Sequence, residues 1–160
     1  MTSGNLNLTA PGEREIVITR TFNAPRTLVF DAFTKPELVK QWLIGPPGWT
    51  MPVCEIDFRV GGNIRYVWEH SNGMRMGMSG VYREIVVPER LVATEKFDEP
   101  WYPGEAVGTF VFTEQGSQTL LNQTILYESR EARDVVLKSP MEGGVTIGYN
   151  RLDEILQSQL

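Results

Sequence analysis

The spacing of apolar and polar positions changes along the chain and predicts three kinds of segment. Residues 16–22 are rich in β-branched side chains and alternate in part between apolar and polar positions, which predicts a first strand. Residues 53–127 contain six further runs of this kind, separated by turn residues such as Asn72-Gly73 and Gly116-Ser117. The pattern therefore predicts an antiparallel sheet of about seven strands.

Two short amphipathic helices are predicted between the first strand and the rest of the sheet. Pro25 suits the first helical position of one of them, and Thr34 and Glu37 have the capping-box spacing for the other. Glycine and proline at residues 45–48 end the second helix.

A longer helix is predicted at the C-terminal end, after one or two helical turns over residues 129–137. Ser139 is its predicted N-cap, Pro140 its first residue, and Glu142 completes a capping box. Apolar side chains then recur at helical spacing over about 18 residues and form one stripe. The stripe consists of Met141, Val145, Tyr149, Leu152, Ile155 and Leu156.

A helix with one long apolar stripe has to pack against a large partner, and the sheet is the large partner that the sequence offers. The predicted architecture is α+β, with a bent antiparallel sheet wrapped around the C-terminal helix and the two short helices at one end. We expect a single domain over residues 13–160, preceded by a flexible tail over residues 1–12.

Composition narrows the classes of partner. The 160 residues include 15 Lys or Arg and 20 Asp or Glu, which gives a net charge of −5 without a basic run. Nucleic-acid grooves and polybasic membrane surfaces need clustered positive charge, so the sequence argues against both. No apolar run approaches the roughly 20 residues that span a bilayer, and residues 2–13 are too polar for a signal peptide, so a cytoplasmic location is expected.

Cysteine and histidine occur once each, as Cys54 and His70. This scarcity argues against disulfide frameworks and Cys/His zinc sites, and neither a metal nor a cofactor is predicted. His70 falls at a predicted hairpin tip, where an exposed structural role is the ordinary outcome. Cys54 shares the strand parity of Ile56 and Phe58, which is typical of a small buried apolar residue.

Acid–base chemistry would use a carboxylate in an apolar environment, where its pKa rises. The sheet region offers several carboxylates, and nothing in their spacing selects one. They are Glu55, Asp57, Glu69, Glu84 and Glu95. No catalytic residue is therefore assigned, and whether the protein is an enzyme stays open, with a non-enzymatic role preferred.

Met74, Met76 and Met78 alternate at strand period and share one face. Such a row suits a pocket for varied apolar ligands, and it equally suits a packed core or an exposed strand edge. The hairpin that precedes it has either a two-residue turn or a three-residue loop with a bulge. The partners of Met76 and Met78 are Glu69 and Val67 in the first case, and His70 and Trp68 in the second.

Large aromatic side chains fall near predicted loop ends and on the C-terminal helix. They are Trp42, Trp49, Trp68, Trp101, Tyr102 and Tyr149. A packed core and the wall of a small-molecule cavity are both consistent with this set. The residues predicted to bind a ligand are Trp42, Trp68, Met76, Met78, Phe110, Phe112, Tyr149 and Leu152.

The order of strand, two short helices, six strands and long helix resembles the helix-grip fold of the START-like, birch-pollen-allergen-like superfamily, also called SRPBCC. Four motifs resemble its branch homologous to the activator of the Hsp90 chaperone ATPase. They are residues 14–25 (REIVITRTFNAP), residues 34–37 (TKPE) with Trp42, residues 56–62 (IDFRVGG) and residues 84–91 (EIVVPERL). The resemblance covers the chain from Glu13 to the C-terminus, and several motifs in the correct order make a chance match improbable.

The resemblance implies a ligand carrier, a polyketide cyclase or a chaperone activator, without a universal catalytic residue. It also implies that the start of the long helix, at Gly143 and Gly144, can gate a cavity. We expect binding of a small, mainly hydrophobic ligand between the sheet and the C-terminal helix. The alternatives are a chaperone-activator-like interaction module, with a chaperone as partner, and a cofactor-free cyclase or hydrolase that uses a cavity carboxylate or tyrosine. The expected assembly is a monomer or a homodimer.

Overall fold

The computed structural model describes residues 6–160. Its elements are β1 (Asn7–Thr9), β2 (Glu15–Phe22), α1 (Arg26–Thr34), α2 (Pro36–Trp42), β3 (Trp49–Ile56), β4 (Asn63–His70), β5 (Arg75–Val86), β6 (Arg90–Phe97), β7 (Ala106–Gln115), β8 (Gln118–Leu126), α3 (Arg130–Lys138) and α4 (Met141–Ser158). All the elements predicted from the sequence are present, and β1 is additional.

The strands form one antiparallel sheet of eight strands, in the order β1-β2-β8-β7-β6-β5-β4-β3. The bent sheet and the C-terminal helix confirm the predicted helix-grip architecture, with β1 as the extra strand. β1 lies inside the segment predicted as a flexible tail, where Leu8 pairs with Ile18 and packs against the core. A strand of 3 residues is too short for alternation to reveal it. Residues 1–5 of that tail lie outside the described residues.

The two short helices form where predicted, but their caps differ. Pro25 is the N-cap of α1 and not its first residue, and its carbonyl accepts a hydrogen bond from the N–H of Leu28. The predicted capping box of α2 is wrong, because Thr34 is the last residue of α1 and its hydroxyl donates to the carbonyl of Phe30. Pro36 starts α2 instead, since its fixed φ fits the first helical position and an N–H is not needed there.

The C-terminal helix α4 has 18 residues, as predicted, but a different start. Its N-cap is Pro140, so the predicted cap and first residue are both wrong. Ser139 ends α3 instead, and its hydroxyl donates to the carbonyl of Val136. A serine cap does occur at the start of α3, where Ser129 accepts a backbone hydrogen bond from Ala132.

The β4–β5 hairpin has a three-residue loop, closed by a hydrogen bond from the N–H of His70 to the carbonyl of Met74. Gly73 has a φ of 95°, a left-handed conformation that suits glycine. The longer of the two loops considered from the sequence is therefore the correct one, but the partners given for either loop are wrong. The observed pairs are Trp68 with Met76 and Tyr66 with Met78.

The side of the sheet that faces α4 has two halves, whose side chains differ in how far they are shielded from solvent. On β2, β7 and β8 most apolar positions of this side are sealed from solvent, and we term them the closed half. The closed half comprises Ile16, Ile18, Phe22, Phe112 and Leu121, each at most 1% exposed. On β4 and β6, Ile64, Tyr66 and Leu91 of the same side are buried, whereas the other positions keep some accessible surface, and we term these accessible positions the open half. The open half comprises Trp68, Ala93, Glu95 and Phe97.

Candidate ligand-binding site

Cross-strand pairs place the two halves on one side of the sheet. Phe110 of β7 pairs with Leu91 of β6 and with Gln123 of β8. Tyr149 of α4 donates a hydrogen bond to the side chain of Gln123. Directly opposite residues share a face, so this face of the sheet is turned toward α4. Alternation along β6 then places three more residues on it, namely Ala93, Glu95 and Phe97.

Aromatic rings fill the space between α4 and the closed half. The ring of Phe33 lies at centroid distances of 4.9 Å from Trp42, 5.8 Å from Phe110, 5.5 Å from Phe112 and 6.0 Å from Tyr149. These tilted and edge-on contacts are the ones that aromatic cores favour. The closed half is therefore a packed core.

A buried ion pair joins α4 to β2 at the closed half. Arg20 is 1% exposed, its Nη1 donates to Asn150 Oδ1 at 2.8 Å, and its Nη2 lies 3.8 Å from Asp153 Oδ2. Burial lowers the pKa of Arg20, and the charge of Asp153 opposes that shift. Breaking such a pair would leave an uncompensated buried charge, so these contacts hold α4 in place over the closed half.

A row of aromatic side chains lines the open half. Centroid distances along the row are 5.8 Å from Tyr66 to Trp68, 6.4 Å from Trp68 to Phe97 and 6.0 Å from Phe97 to Tyr102. The indole of Trp68 is oriented by its Nε1, which donates to the carbonyl of Leu43 at 2.7 Å. The row supplies an apolar wall in which Trp68 and Phe97 stay partly accessible to solvent.

Small side chains lie beside the aromatic row. Ala93 pairs with Gly108 on β7 and with Tyr82 on β5. A Cβ atom at Gly108 would lie 3.2 Å from the ring of Phe110, so that ring leans over the glycine. Because a methyl group projects little from the sheet, Ala93 leaves a recessed surface beside the aromatic row, whereas Gly108 is buried beneath the ring of Phe110.

Glu95 provides the carboxyl group of the open half. Its Oε1 accepts a hydrogen bond from Tyr102 Oη at 2.9 Å, and no other hydrogen bond reaches this carboxyl group from residues 6–160. Desolvation by the surrounding protein raises the pKa of Glu95, and the hydrogen bond from Tyr102 opposes this shift. The residue nevertheless keeps some accessible surface. Glu95 is thus largely enclosed by protein, and its Oε2 is not sealed from solvent.

Two phenols and a thiol lie on the same side as Glu95. Desolvation is the main cause that raises the pKa of Tyr66, with smaller contributions from Tyr82, Cys54 and Glu95. Burial also raises the pKa of Tyr82 to about 12 and that of Cys54 to about 11, so both are neutral near pH 7. Within the described residues, the hydroxyls of Tyr66 and Tyr82 make no hydrogen bond to protein, and neither is sealed from solvent.

A depression of about 330 Å³ lies between α2 and β3, next to the open half. It is lined by Lys40, Met51, Pro52, Val53, Cys54 and Glu55. Cys54 links the depression to the aromatic row, because it pairs with Tyr66 on β4.

The predicted ligand-binding residues fall in different parts of the molecule. Those in the packed core between α4 and the closed half are Trp42, Phe112, Tyr149 and Leu152. Those beside the recessed surface are Trp68, Met78 and Phe110. Met76 is 41% exposed at the outer end of β5. Which of these residues contact a ligand stays a prediction.

The other carboxylates considered from the sequence lie at the surface of the protein. Glu55 is exposed, and ion pairs on the surface hold the remaining three. These pairs are Asp57 with Arg59, Glu69 with Arg75 and Glu84 with Arg90. Glu95 has the same strand parity as Leu91, Ala93 and Phe97, so it shares their face of the sheet. This feature distinguishes it from the other carboxylates, and a prediction that treats all of them alike misses it.

His70 has local structural contacts. Its Nδ1 accepts a hydrogen bond from the N–H of Asn72, and its ring lies 5.1 Å from the ring of Trp49. Across residues 6–160, no group of three or more His, Cys, Asp or Glu side chains has a metal-binding arrangement. In the same part of the chain, no helix has the length and apolar character of a membrane span.

Comparison with known proteins identifies the class and then the family. The eight-stranded antiparallel sheet and the long C-terminal helix define a helix-grip protein of the SRPBCC type. The profile of the family described as "Activator of Hsp90 ATPase homolog 1-like protein" matches residues 23–157, and the chain belongs to this family. The resemblance noted in the sequence is therefore confirmed. No curated protein matches the chain.

Solved structures share the fold along nearly the whole chain. A crystal structure of a protein from Rhodobacter sphaeroides has 29% identity and a TM-score of 0.91, covering 96% of this chain and 98% of that one. A protein from Nitrosomonas europaea has 24% identity, a TM-score of 0.82 and coverage of 94% and 98%. A protein from Mycobacterium smegmatis has 23% identity, a TM-score of 0.82 and coverage of 95% and 97%. The last two similarities concern the fold alone.

Proposed function

We propose that the protein binds a small, mainly hydrophobic molecule against the open half of the sheet. The observation that carries this proposal is the enclosed carboxyl group of Glu95, which solvent still reaches beside a ring-lined surface. Binding sites for small molecules combine apolar walls with a few placed polar groups in this way. Membership of the family supports the coarser statement of a ligand-binding or chaperone-activator-like module.

The expected affinity follows from the apolar area that a ligand would cover. Burial of about 250 Å² at about 25 cal/mol per Å² contributes roughly 6 kcal/mol before the loss of ligand freedom is subtracted. A two-ring hydrocarbon is therefore a suitable probe, and its binding would be weak enough to respond clearly to one substitution.

The test uses 2-methylnaphthalene as an apolar probe and fills the recess by mutation. Ala93→Phe places a ring on the recessed surface, and Val92→Phe places the same ring on the opposite face of β6 as a control. Titration followed by NMR is expected to show binding to the wild type and to Val92→Phe, and at least about tenfold weaker binding to Ala93→Phe.

Thermal unfolding checks that both variants fold, and Ala93→Leu replaces the larger substitution if Ala93→Phe does not. Absence of probe binding to the wild type, or equal binding to all folded variants, would contradict the proposal. Native mass spectrometry of protein purified from its own host adds an independent readout, because a co-purified apolar molecule should be displaced by the probe.

A second candidate function is a chaperone-activator-like interaction, and exposed apolar side chains favour it. Met76 and Trp101 are each 41% exposed. They flank the open half, since Met76 pairs with Trp68 and the Trp101 ring lies 5.8 Å from that of Phe97. Exposed apolar surface of this kind suits a protein partner.

The chaperone candidate predicts that the protein stimulates the ATPase of an Hsp90-type chaperone. Met76→Glu and Trp101→Glu should then abolish stimulation, whereas Ala93→Phe, which fills the recess, should leave it unchanged. An unchanged ATPase rate with the wild-type protein would remove this candidate.

A further inference from the structure

The charges around the open half carry information about the ligand, on the assumption that the proposed function is correct. Glu95 is enclosed, and the groups that face it are the phenols of Tyr66, Tyr102 and Tyr127. Among the described residues, no lysine, arginine or histidine shifts the pKa of Glu95 or of Tyr66. Arg65, on β4, pairs instead with Asp98 through two hydrogen bonds of 2.7 Å.

Glu95 keeps hydrogen-bonding capacity for a ligand. Tyr102 donates to Oε1, and Oε2 receives no hydrogen bond from residues 6–160. A carboxyl group in this state accepts a hydrogen bond from an N–H or O–H donor, and it stabilises positive charge. At a pH above the folded pKa of Glu95, its ionised carboxylate repels a ligand carboxylate, which also finds no cationic partner to offset its desolvation.

The surrounding rings favour the same ligand chemistry. The faces of tryptophan, tyrosine and phenylalanine attract cations and polar N–H groups, and they pack well against other rings. Trp68, Phe97 and Tyr102 form such a surface within the row that ends beside Glu95. The net charge of −5 acts in the same direction on the approach of a ligand.

We propose that the open half selects small ring-containing molecules whose polar group is a hydrogen-bond donor, an amine or a hydroxyl directed at Glu95, and that it excludes carboxylates. Glu95 is the residue that determines this selectivity. The apolar rings supply most of the affinity, and Glu95 sets which polar group the ligand carries.

The experiment compares four probes with one ring system: 2-naphthylmethylamine, 2-naphthylmethanol, 2-naphthoate and 2-methylnaphthalene. Calorimetry and NMR titration are expected to show that the amine and the alcohol bind at least about tenfold more tightly than the carboxylate, a difference of about 1.4 kcal/mol. In Glu95→Gln the amine and the carboxylate should bind within about threefold of each other, because the side chain keeps its shape and loses its charge. Glu114→Gln is the control, since Glu114 is exposed at the end of β7.

Each outcome is decisive for one of the two proposals. If 2-methylnaphthalene and the other probes all fail to bind the wild type, the proposed function itself fails. If the probes bind but the carboxylate binds as well as the amine, or if Glu95→Gln keeps the wild-type preference, the selectivity proposal is overturned and the binding function stands. Should Glu95→Gln not fold, Glu95→Asp provides the second variant, in which the shorter side chain should weaken amine binding and retain discrimination against the carboxylate.

Discussion

The closed and open halves belong to one sheet and have the same alternation of side chains, yet their surroundings differ. Phe112 of the closed half is 1% exposed and meets the rings of Phe30 and Phe33 at 5.4 and 5.5 Å. Phe97 of the open half meets the rings of Trp68, Trp101 and Tyr102 and stays partly accessible.

The difference lies in what covers each half. α1, α2 and α4 place rings over the closed half, and the ion pair of Arg20 with Asp153 holds α4 there. In the open half, the short side chain of Ala93 leaves the sheet surface recessed. An aromatic side chain can therefore be sealed in the core or stay partly accessible in the same sheet, depending on which helix lies above it.

The largest expected effect separates the two halves by stability. Phe112→Ala removes a sealed ring and leaves a cavity, so we expect a loss of about 3–5 kcal/mol in the free energy of unfolding. Phe97→Ala removes a ring that solvent already reaches, so its loss should be clearly smaller. Urea unfolding of both variants measures this, and equal losses would mean that the open half is packed as tightly as the closed half.

A smaller effect, which depends on pH, concerns Glu95. The pKa of Glu95 is higher in the folded protein than in the unfolded chain. As pH rises, the Glu95 carboxyl group therefore loses its proton earlier in the unfolded chain, at about pH 4.3. Between that pH and the folded pKa, the folded state binds more protons, so wild-type stability falls as pH rises through this window. Glu95→Gln removes the ionisation and should become more stable relative to wild type as pH rises.

Denaturant unfolding of wild type and Glu95→Gln at about pH 4 and about pH 7 checks this difference. Glu114→Gln is the matched control, and its stability relative to wild type should change little between the two conditions. A Glu95→Gln variant that tracks the wild type at both pH values would show that the carboxyl group is not enclosed.

The first turn of α4 offers a second comparison, between the glycine-containing start of this helix and its buried part. A Cβ atom at Gly143 or Gly144 would meet nothing within 4 Å, so no close contact requires glycine there. Substitution by alanine should stabilise the protein by up to about 1 kcal/mol at each position, through helix propensity and a less flexible unfolded chain. Thermal unfolding measures the stabilisation.

Hydrogen exchange tests whether this turn opens as the family resemblance implies. Amides near Gly144 should exchange faster than the amide of Leu152, which is fully buried. Gly144→Ala should slow that exchange, and equal protection at both ends of α4 in the wild type would remove the idea of a gate.

The smallest effect is expected on the outer face of the sheet. Arg65 and Asp98 form a two-point ion pair, which lowers the pKa of Asp98, but both side chains are largely in contact with solvent. Asp98→Asn should change the free energy of unfolding by less than about 1 kcal/mol, and less at high salt. A larger loss of stability would mean that this ion pair also supports the packing of the open half.

Periodicity explains how much of the fold could be predicted from the sequence. The 18 residues of α4 and the strand pattern follow from repeats of apolar residues that extend over many positions. The caps at Thr34 and Ser139 do not, because each side chain closes the preceding helix and is engaged there. The partners of Met76 and Met78 depend on the exact closure of the hairpin at Met74, which local residue types leave open.

The candidate site was harder to predict, because alternation shows which residues share a face and not what covers that face. Tyr149 and Trp68 are both large aromatic residues with a polar group, yet Tyr149 is enclosed by Phe22, Phe33 and Trp42, whereas Trp68 keeps some accessible surface. Glu95 stands out only when its parity along β6 is combined with the position of the helices.

The most direct test of the account is the position of a bound ligand. Intermolecular NOEs from 2-naphthylmethanol to the methyl groups of the protein report it without any substitution. We predict NOEs to Ala93 and Met78, beside the recessed surface, and none to Leu121 and Leu152 in the packed core. NOEs to Leu121 and Leu152, or binding of the probe without contact to Ala93, would contradict the assignment of the open half as the binding site.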